Sequence, residues 1–185
     1  MAGGAVILFY RHDAGSPPPA RSKLPTDLSF RRWCPATDGI PKTGMRSAHR
    51  IAILVQNRLG CFANPHFTEL SLWRGRQMLQ RLILTPAWYR FPFMGVDDLQ
   101  IGYVWTSPSE RGKGLARGAI AEVHRLACTK GRNIWYVVDA RNDSSAALIR
   151  SCGYRLIGTG TRTRPLGIAW FGQFRLERPM ADGQA

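Results

Sequence analysis

Hydrophobic and polar positions form recognisable blocks along the second half of the chain. The apolar run at 99–106, LQIGYVWT, predicts a strand, and LARGAIAEVHRLA has the spacing of an amphipathic helix that ends near Gly131. IWYVVD at 134–139 is typical of a strand covered on both faces. A short helix at 144–151 and strands at 155–158 and 169–176 follow. This order predicts a mixed α/β sheet with at least one crossover connection.

The first half of the chain gives weaker signals. The run at 6–10 is long enough for a short strand, and the Pro- and Ser-rich stretch after it predicts a loop. HRIAILVQNRLGCFA holds a strand or a short helix, whereas LSLWRGRQMLQRLILT predicts paired strands around a turn at 74–76. We expect a basic N-terminal arm and loop region at 1–50 within the same domain, a folded core at 51–176 and a loose tail at 177–185.

The charge of the chain changes this picture. A net charge of +14 over 185 residues indicates an anionic partner, although charge alone does not choose among nucleotide, nucleic acid, phosphosugar and membrane surface. Many of the cations lie between residues 21 and 50, where we expect them either to bind an anionic acceptor or to form a solvated face. They are Arg21, Lys23, Arg31, Arg32, Lys42, Arg46 and Arg50.

Cysteine and histidine spacing argues against a metal site. The four cysteines have no C-x-x-C spacing, and the four histidines complete no ligand pattern. Scattered thiols are typical of a reducing cytoplasm. The apolar run at the start is too short for a signal peptide, and no stretch approaches a membrane span. We therefore expect a cytoplasmic protein without metal.

The stretch SPSERGKGLARG, residues 107–118, joins the predicted strand at 99–106 to the next helix. Glycines at such a junction let the backbone approach a ligand closely, and the first turn of the helix offers unpaired N–H groups to an anion. Neither the GxxxxGK[ST] nor the GxGxxG phosphate motif is present. The stretch therefore predicts a phosphate site of another kind.

Two motifs together resemble the GNAT N-acetyltransferase superfamily. The first is R-x-x-G-x-A, which resembles the loop that binds the pyrophosphate of acetyl-CoA, and the second is N-x-x-[SA]-x-x-L with a G-[FY] pair after it. The resemblance covers residues 99–176. The residues that carry it are Arg111, Gly114 and Ala116 in the first motif and Asn142, Ser145, Leu148, Gly153 and Tyr154 in the second.

The resemblance implies a fold and a cofactor. The fold is α/β: a mixed, mostly antiparallel central sheet flanked by helices, splayed between the two cofactor-binding strands. Acetyl-CoA would be the acyl donor, without metal, although a longer acyl group stays open. The cofactor-binding residues that the resemblance implies are Val104, Trp105, Thr106, Arg111, Gly112, Lys113, Gly114, Leu115, Ala116, Arg117 and Asn142.

The acid and base of the reaction are less well defined. Gln100 stands where histone-type members carry glutamate, so we take Asp98, on the same strand face, as the catalytic base. The alternative is that Asp98 only makes the turn after Gly95. Ile149 stands where the family often has its acidic tyrosine, which leaves solvent as the proton donor to the departing thiolate.

These observations predict an acetyl-CoA-dependent N-acetyltransferase. Its acceptor would be the primary amine of a small, anionic molecule, for example a nucleotide-linked amino sugar, which attacks the thioester directly. The alternatives are acetylation of a protein or aminoacyl-RNA amine and a non-catalytic acyl-CoA-binding module. Nucleic acid is a less favoured partner, no membrane span is expected, and a homodimer is left open.

Overall fold

Eight strands and four α-helices occupy the part of the chain that a computed structural model describes, namely residues 5–20, 23–40, 47–163, 165 and 172–179. The strands are β1 Ile7–His12, β2 Leu28–Trp33, β3 Thr68–Arg74, β4 Gln77–Pro86, β5 Leu99–Thr106, β6 Ile134–Asp139, β7 Arg155–Arg162 and β8 Phe174–Pro179. The helices are α1 Pro35–Asp38, α2 Ser47–Arg58, α3 Leu115–Val123 and α4 Asp143–Ser151, with short 3₁₀ turns at Pro108–Glu110 and Ala127–Thr129.

All eight strands belong to one sheet in the order β2-β3-β4-β5-β6-β1-β7-β8. Every neighbouring pair is antiparallel except β5 and β6, which run parallel. The prediction of a mixed, mostly antiparallel sheet with a crossover is therefore confirmed. The parallel pair is the one that α3 connects, as a crossover between parallel strands requires.

The N-terminal strand β1 lies in the middle of the sheet, between β6 and β7, and is antiparallel to both. Phe9 and Tyr10 on this strand are almost fully buried. The segment 1–50, expected as an arm and loop region of the same domain, thus contributes a central strand and the edge strand β2. Whether the boundaries at residues 50 and 176 separate distinct units stays a prediction.

Leu24, in the segment between β1 and β2, packs against α3 at Gly118. A Cβ atom at Gly118 would lie 2.9 Å from Leu24 Cδ2, which is too close for a real contact. Leu24 also packs with the buried Leu72, Leu79 and Leu115. The glycine of the LARG sequence therefore serves close packing, whereas the glycines before it lie in the loop.

The hydrophobic core has a layer on each side of the sheet. On one side α3 and α4 pack through Ile120, Val123 and Ile149 against alternate residues of the central strands. On the other side the aromatic residues of 62–93 pack with α2 and with the ends of β7 and β8. The sheet is thus covered on both faces in its middle, which explains the continuous apolar run of β6.

The helix predicted to end near Gly131 ends at Val123 instead. Its last carbonyl accepts a hydrogen bond of 3.1 Å from the hydroxyl of Thr129 and one of 3.0 Å from the N–H of Leu126. These contacts satisfy the terminal carbonyl and fold 124–131 back as turns. Beyond Val123, the partly buried Cys128 packs against the core.

The segments that were ambiguous in sequence take defined forms. HRIAILVQNR lies within α2, and the paired strands around 74–76 are confirmed as β3 and β4. The strand predicted at 169–176 is described only from 172 onward, where β8 begins at Phe174. Within the described ranges, no helix is both long enough and apolar enough to cross a membrane.

A buried pair of histidines joins β1 to the end of α3. The ring centroids of His12 and His124 are 4.4 Å apart, and Nε2 of His124 lies 2.8 Å from the hydroxyl of Tyr154. Burial and the nearby His12 lower the pKa of His124 to about 4. The imidazole is therefore neutral in the folded protein at neutral pH.

This pair predicts a loss of stability in mild acid. The pKa of His124 is lower in the folded than in the unfolded chain, where it is about 6.5, so the unfolded state binds the proton first. The free energy of unfolding should fall as the pH drops from about 6.5 to about 4, by on the order of 3 kcal/mol. Urea unfolding at pH 7.5 and pH 4.5 measures this loss, and His124→Gln should remove most of it. An equal loss in wild type and variant would contradict this assignment.

Candidate active site

The site is built where β5 and β6 separate. The two strands pair over only three residues each, from Leu99 opposite Ile134 to Ile101 opposite Tyr136. Beyond these pairs β5 continues beside β4, and β6 continues beside β1. Among the described strands, none pairs with the backbone of β5 after Ile101 on the β6 side, which leaves N–H and C=O groups for another partner.

A bulge in β5 marks the point of separation. Arg81 pairs with Trp105 and Ile83 with Gly102, so that Tyr103 and Val104 together face the single residue Leu82. Tyr103 has a φ of 51°, in the left-handed region that non-glycine residues rarely adopt. Strained backbone of this kind costs about 1–3 kcal/mol and concentrates at functional sites. The bulge bends β5 and re-aims its following backbone groups.

The glycine-rich loop leads from the end of β5 into α3. Gly112 and Gly114 have φ values of 78° and 76°, which only glycine adopts without strain. Gly114 is the N-cap residue, and no side chain caps the helix. The first α-helical hydrogen bond runs from Gly118 N to Gly114 O at 2.9 Å, so the N–H groups of 115–117 have no acceptor within the helix. These donors and the positive end of the helix favour an anion.

One open cleft of about 980 Å³ collects these features. It is bounded by the end of β5, the glycine loop, the first turn of α3 and the start of α4. Ten of the eleven residues predicted to bind the cofactor line it: Val104, Trp105, Thr106, Arg111, Gly112, Gly114, Leu115, Ala116, Arg117 and Asn142. The residues were assigned from two separate motifs, and the fold brings both motifs to one cleft.

Lys113 is the eleventh residue, and it does not line the cleft. Its ammonium group lies 3.3 Å from Oε1 of Glu110, a buried carboxylate that also pairs with Arg74. The lysine charge is therefore partly used to neutralise Glu110. Arg111 and Arg117 are exposed at the cleft instead. The part of Lys113 in cofactor binding stays a prediction.

Asn142 caps helix α4 at the edge of the cleft. Its Oδ1 accepts hydrogen bonds from the Ser145 N–H at 3.1 Å and the Ser144 hydroxyl at 3.0 Å. The asparagine thus has a structural role as N-cap. These bonds use only the oxygen of the side chain, so its Nδ2 donor is not needed for the cap.

A second cavity, of about 380 Å³, opens on the opposite face of the sheet. We call it the acceptor-side cavity. It lies across the bulge from the cleft: Tyr103 lines the cavity, and the next residue, Val104, lines the cleft. The residues that line it are Thr85, Trp88, Arg90, Phe91, Gln100, Gly102, Tyr103, Val137, Arg162 and Phe174.

Asp98, predicted as the base, is held in a turn at the start of β5. Its carboxylate accepts hydrogen bonds from the Gly95 N–H at 3.0 Å, from Asn133 Nδ2 at 3.1 Å and from Trp135 Nε1 at 2.8 Å. It is not among the residues that line the acceptor-side cavity, whereas Gln100 is. These contacts favour a structural role, and the role of Asp98 as a base stays a prediction.

No tyrosine is among the described residues that line the cleft. Ile149, at the position of the usual acid, is fully buried in the core. Tyr154 is bonded to His124, and burial raises the pKa of its hydroxyl. Solvent, which reaches the open cleft, therefore stays the expected proton donor to the thiolate.

His49 was not singled out by sequence reasoning, because α2 lies far from the two motifs along the chain. It lines a small, largely apolar recess that shares four lining residues with the acceptor-side cavity: Thr85, Trp88, Arg90 and Tyr103. Its ring lies 6.4 Å from the ring of Tyr103. Burial lowers the pKa of His49, and Arg81 adds to this effect. A neutral imidazole at neutral pH can accept a proton.

The basic segment 21–50 is only partly described. Arg21, Lys42 and Arg46 lie outside the described residues. Arg50 is buried and pairs with Glu69 through two hydrogen bonds of 2.7 and 3.1 Å, so it belongs to the core. Arg31 lies over the ring of Trp73 on the edge of the sheet. Binding of an anionic acceptor by this segment stays a prediction.

Comparisons with known proteins agree with this architecture. Residues 94–163 match the family described as FR47-like protein, which is related to GNAT acetyltransferases. The GCN5-related N-acetyltransferase from Sphaerobacter thermophilus is 15% identical, with a TM-score of 0.56 over 97% of this chain and 54% of that protein. A putative acetyltransferase of the GNAT family from Novosphingobium aromaticivorans is 16% identical, with a TM-score of 0.52 over 85% and 62%. No curated protein matches the sequence.

A tandem GNAT protein from the clavulanic acid biosynthesis pathway is 13% identical, with a TM-score of 0.53 over 84% of this chain and 51% of that protein. The chain thus spans between 51% and 62% of the length of these three structures. At such low identities the likeness concerns the fold. The chain has the GNAT fold, and the resemblance found in the sequence is confirmed.

Metal ligands are not assembled in the part of the chain that is described: no three His, Cys, Asp or Glu side chains lie together there in a way that could hold an ion.

The loop predicts a specific effect of Gly114→Ala. The substitution adds a Cβ atom on the cleft side of the loop, where no protein atom lies within 4 Å, and it strains a residue with a φ of 76°. Affinity for acetyl-CoA, measured by calorimetry, should fall about tenfold or more because the phosphates can no longer approach the amides.

Gly131→Ala is the matched control. Gly131 has a φ of 70°, also with nothing within 4 Å, but it lies outside the cleft. Both variants should lose about 1–2 kcal/mol of stability from left-handed strain. Only Gly114→Ala should bind acetyl-CoA more weakly. Equal affinities in the two folded variants would contradict the assignment of the loop.

Proposed function

We propose that the protein is an acetyl-CoA-dependent N-acetyltransferase that acts on the primary amine of a small, anionic acceptor. The observation that carries the proposal is that two cavities lie on either side of the β5 bulge. One is lined by the glycine loop and offers amide donors suited to a pyrophosphate, and the other is lined by aromatic residues and arginines. The GNAT fold supports acetyl transfer in general. We expect the protein to act in the cytoplasm.

The residues that line the cleft fit acetyl-CoA. The N–H groups of 112–117 and the exposed Arg111 and Arg117 would hold the pyrophosphate. The backbone of 104–106 would pair with the amides of the pantetheine arm as a strand neighbour, and Asn142 would bind the same arm. Acetyl-CoA supplies the activated acyl group, and its thioester would then reach the bulge.

In the proposed reaction, the acceptor lies on the opposite side of the β5 bulge from acetyl-CoA. The amine nitrogen attacks the carbonyl carbon of the thioester, a C–N bond forms, and the C–S bond breaks. The nitrogen loses one proton, and the departing thiolate of CoA takes one from solvent. Holding both substrates at one point of the sheet supplies proximity, which is a large part of the acceleration available to direct transfer.

A protonated amine cannot attack, so a proton acceptor is needed on the acceptor side. We infer that His49 serves this role, directly or through a water molecule. Its recess adjoins the acceptor-side cavity through shared lining residues, and its neutral form dominates at neutral pH. The charged groups that act on it are Arg81 on β4, Arg50 on α2 and Glu69 on β3, with Tyr103 of β5 beside the ring.

The basic test of the function is release of CoA thiol that depends on an added amine. Purified protein is incubated with acetyl-CoA and a panel of amines, and free thiol is measured. An N-acetyltransferase releases thiol only with its acceptor present. Tight binding of acetyl-CoA without release for any amine in the panel would instead favour a non-catalytic acyl-CoA-binding module.

The two candidate bases are separated by a pair of substitutions. His49→Gln should lower kcat by about 10²- to 10⁴-fold with acetyl-CoA affinity nearly unchanged. It should also remove the acid limb of the kcat/KM profile, which we expect at a pH below the ordinary histidine pKa of 6.5 because burial lowers the pKa of His49.

Asp98→Asn is the comparison. The substitution replaces the carboxylate that accepts three hydrogen bonds, so we expect a loss of about 1–3 kcal/mol of stability. We expect a reaction rate close to that of the wild type in the folded fraction. A large loss of rate in folded Asp98→Asn, with a normal rate in His49→Gln, would assign the base to Asp98 and exclude His49.

A further inference from the structure

The residues that line the acceptor-side cavity indicate the chemical class of the acceptor, and not only that it is anionic. We propose that it binds an aromatic or branched apolar α-amino acid, with the carboxylate held by the indole N–H of Trp88 and the guanidinium groups of Arg90 and Arg162. The inference rests on the proposed function, since it takes the α-amine of that amino acid as the group that is acetylated.

Trp88 provides the first observation. Its Nε1 atom is buried and has no hydrogen-bond partner within the described residues, although its ring lines the cavity. Buried donors almost always have an acceptor, and an unpaired one costs free energy. An acceptor atom of a bound ligand in the cavity would satisfy this N–H, and a carboxylate oxygen is a strong acceptor.

The charge of the cavity wall points to the same group. Arg90 and Arg162 both line it, and Arg90 is held in place by a hydrogen bond of 3.3 Å from Nε to Gly172 O and by the ring of Trp88 at 5.7 Å. No aspartate or glutamate is among its lining residues in the described ranges. The two guanidinium groups therefore favour the carboxylate of an amino acid over a cationic acceptor.

Much of the remaining wall is apolar, although Thr85 and Gln100 also line the cavity. Phe91 stacks on Phe174, with ring centroids 5.5 Å apart and an angle of 23° between the planes. The recess beside the cavity continues the apolar surface with Phe62, Phe67 and Ile83. An aromatic or branched side chain would gain from both surfaces, because burial of apolar area and aromatic contact are favourable.

The size of the cavity sets a limit on the acceptor. Its volume of about 380 Å³ lies near the lower end of the range for small-molecule sites. An amino acid fits such a volume, whereas a nucleotide-linked amino sugar would leave its nucleotide outside. The carboxylate and the side chain would then occupy two parts of the cavity, and the α-amine would face the bulge, where the thioester carbonyl is attacked.

The inference is tested with a matched pair of acceptors, phenylalanine and phenylalanine amide. They share the ring and the α-amine and differ in the carboxylate. The amine of the amide is less basic and so more often unprotonated at pH 7.5, which would favour the amide if the carboxylate had no role. We expect kcat/KM for phenylalanine to exceed that for the amide by about tenfold or more. An equal or higher value for the amide would overturn the inference.

Trp88→Phe keeps an aromatic ring and removes only the N–H donor at this position. It should lower kcat/KM for phenylalanine about tenfold more than it lowers kcat/KM for the amide, because only phenylalanine has the carboxylate that the N–H would bind. Trp73→Phe is the control, because the N–H of Trp73 is satisfied by the Ser71 hydroxyl at 2.8 Å on a distant part of the sheet. Similar losses for both acceptors in Trp88→Phe would show a general packing effect and would overturn the role of the N–H.

Direct binding separates failure of this inference from failure of the proposed function. Phenylalanine and leucine are titrated into wild-type protein without acetyl-CoA, with tryptophan fluorescence and calorimetry as readouts. Binding of either amino acid without thiol release would retain the cavity assignment and contradict acetyl transfer to it. Thiol release with other amines, together with no binding of phenylalanine or leucine, would retain the function and overturn this inference.

Discussion

The candidate site depends on the separation of β5 from β6 after three paired residues. A sheet normally satisfies its backbone donors and acceptors through continuous ladders. Here the ladder stops at Ile101, while β4 holds β5 on one side and β1 holds β6 on the other. Because both strands stay anchored to other neighbours, the gap between them can persist in the folded state without collapsing.

The central position of β1 explains how this anchoring is achieved. β6 loses its partner on the β5 side, but it is paired along its whole length with β1, from Ile7 opposite Asp139 to His12 opposite Ile134. The same strand carries His12 and the buried Phe9 and Tyr10 into the two layers of the core. The N-terminal segment is thus part of the framework that keeps the cleft open.

The two faces of the sheet have different roles in the proposed reaction. The face of α3 and α4 holds the glycine loop, whose left-handed residues and uncapped helix start are suited to phosphate. The face of α2 holds aromatic residues, arginines and His49. Tyr103, whose backbone is strained, lies on β5 between the cleft on one face and the cavity on the other. Backbone strain at this point is consistent with a site where two ligands meet.

The sequence predicts the local form of the glycine loop and of the start of α4 because these signals are local. The spacing from Arg111 to Ala116 and the Asn142 motif each lie within one loop and the helix that follows it, so neighbouring residues determine their conformation. The place of β1 depends on pairing with strands more than 120 residues away, which no local pattern encodes. His49 likewise reaches the site through contacts that are distant in sequence, such as its contact with Tyr103. Two of the three donors to Asp98, Asn133 and Trp135, lie 35 and 37 residues further along the chain.

Hydrogen exchange of backbone amides in the presence and absence of acetyl-CoA tests the central claim most directly, because the account assigns the cofactor to named N–H groups. It predicts slower exchange on binding in two segments, 104–106 in β5 and 112–117 in the loop and first turn of α3, with little change in β2 and β3 at the far edge. Unchanged exchange in both segments at saturating acetyl-CoA would contradict the account.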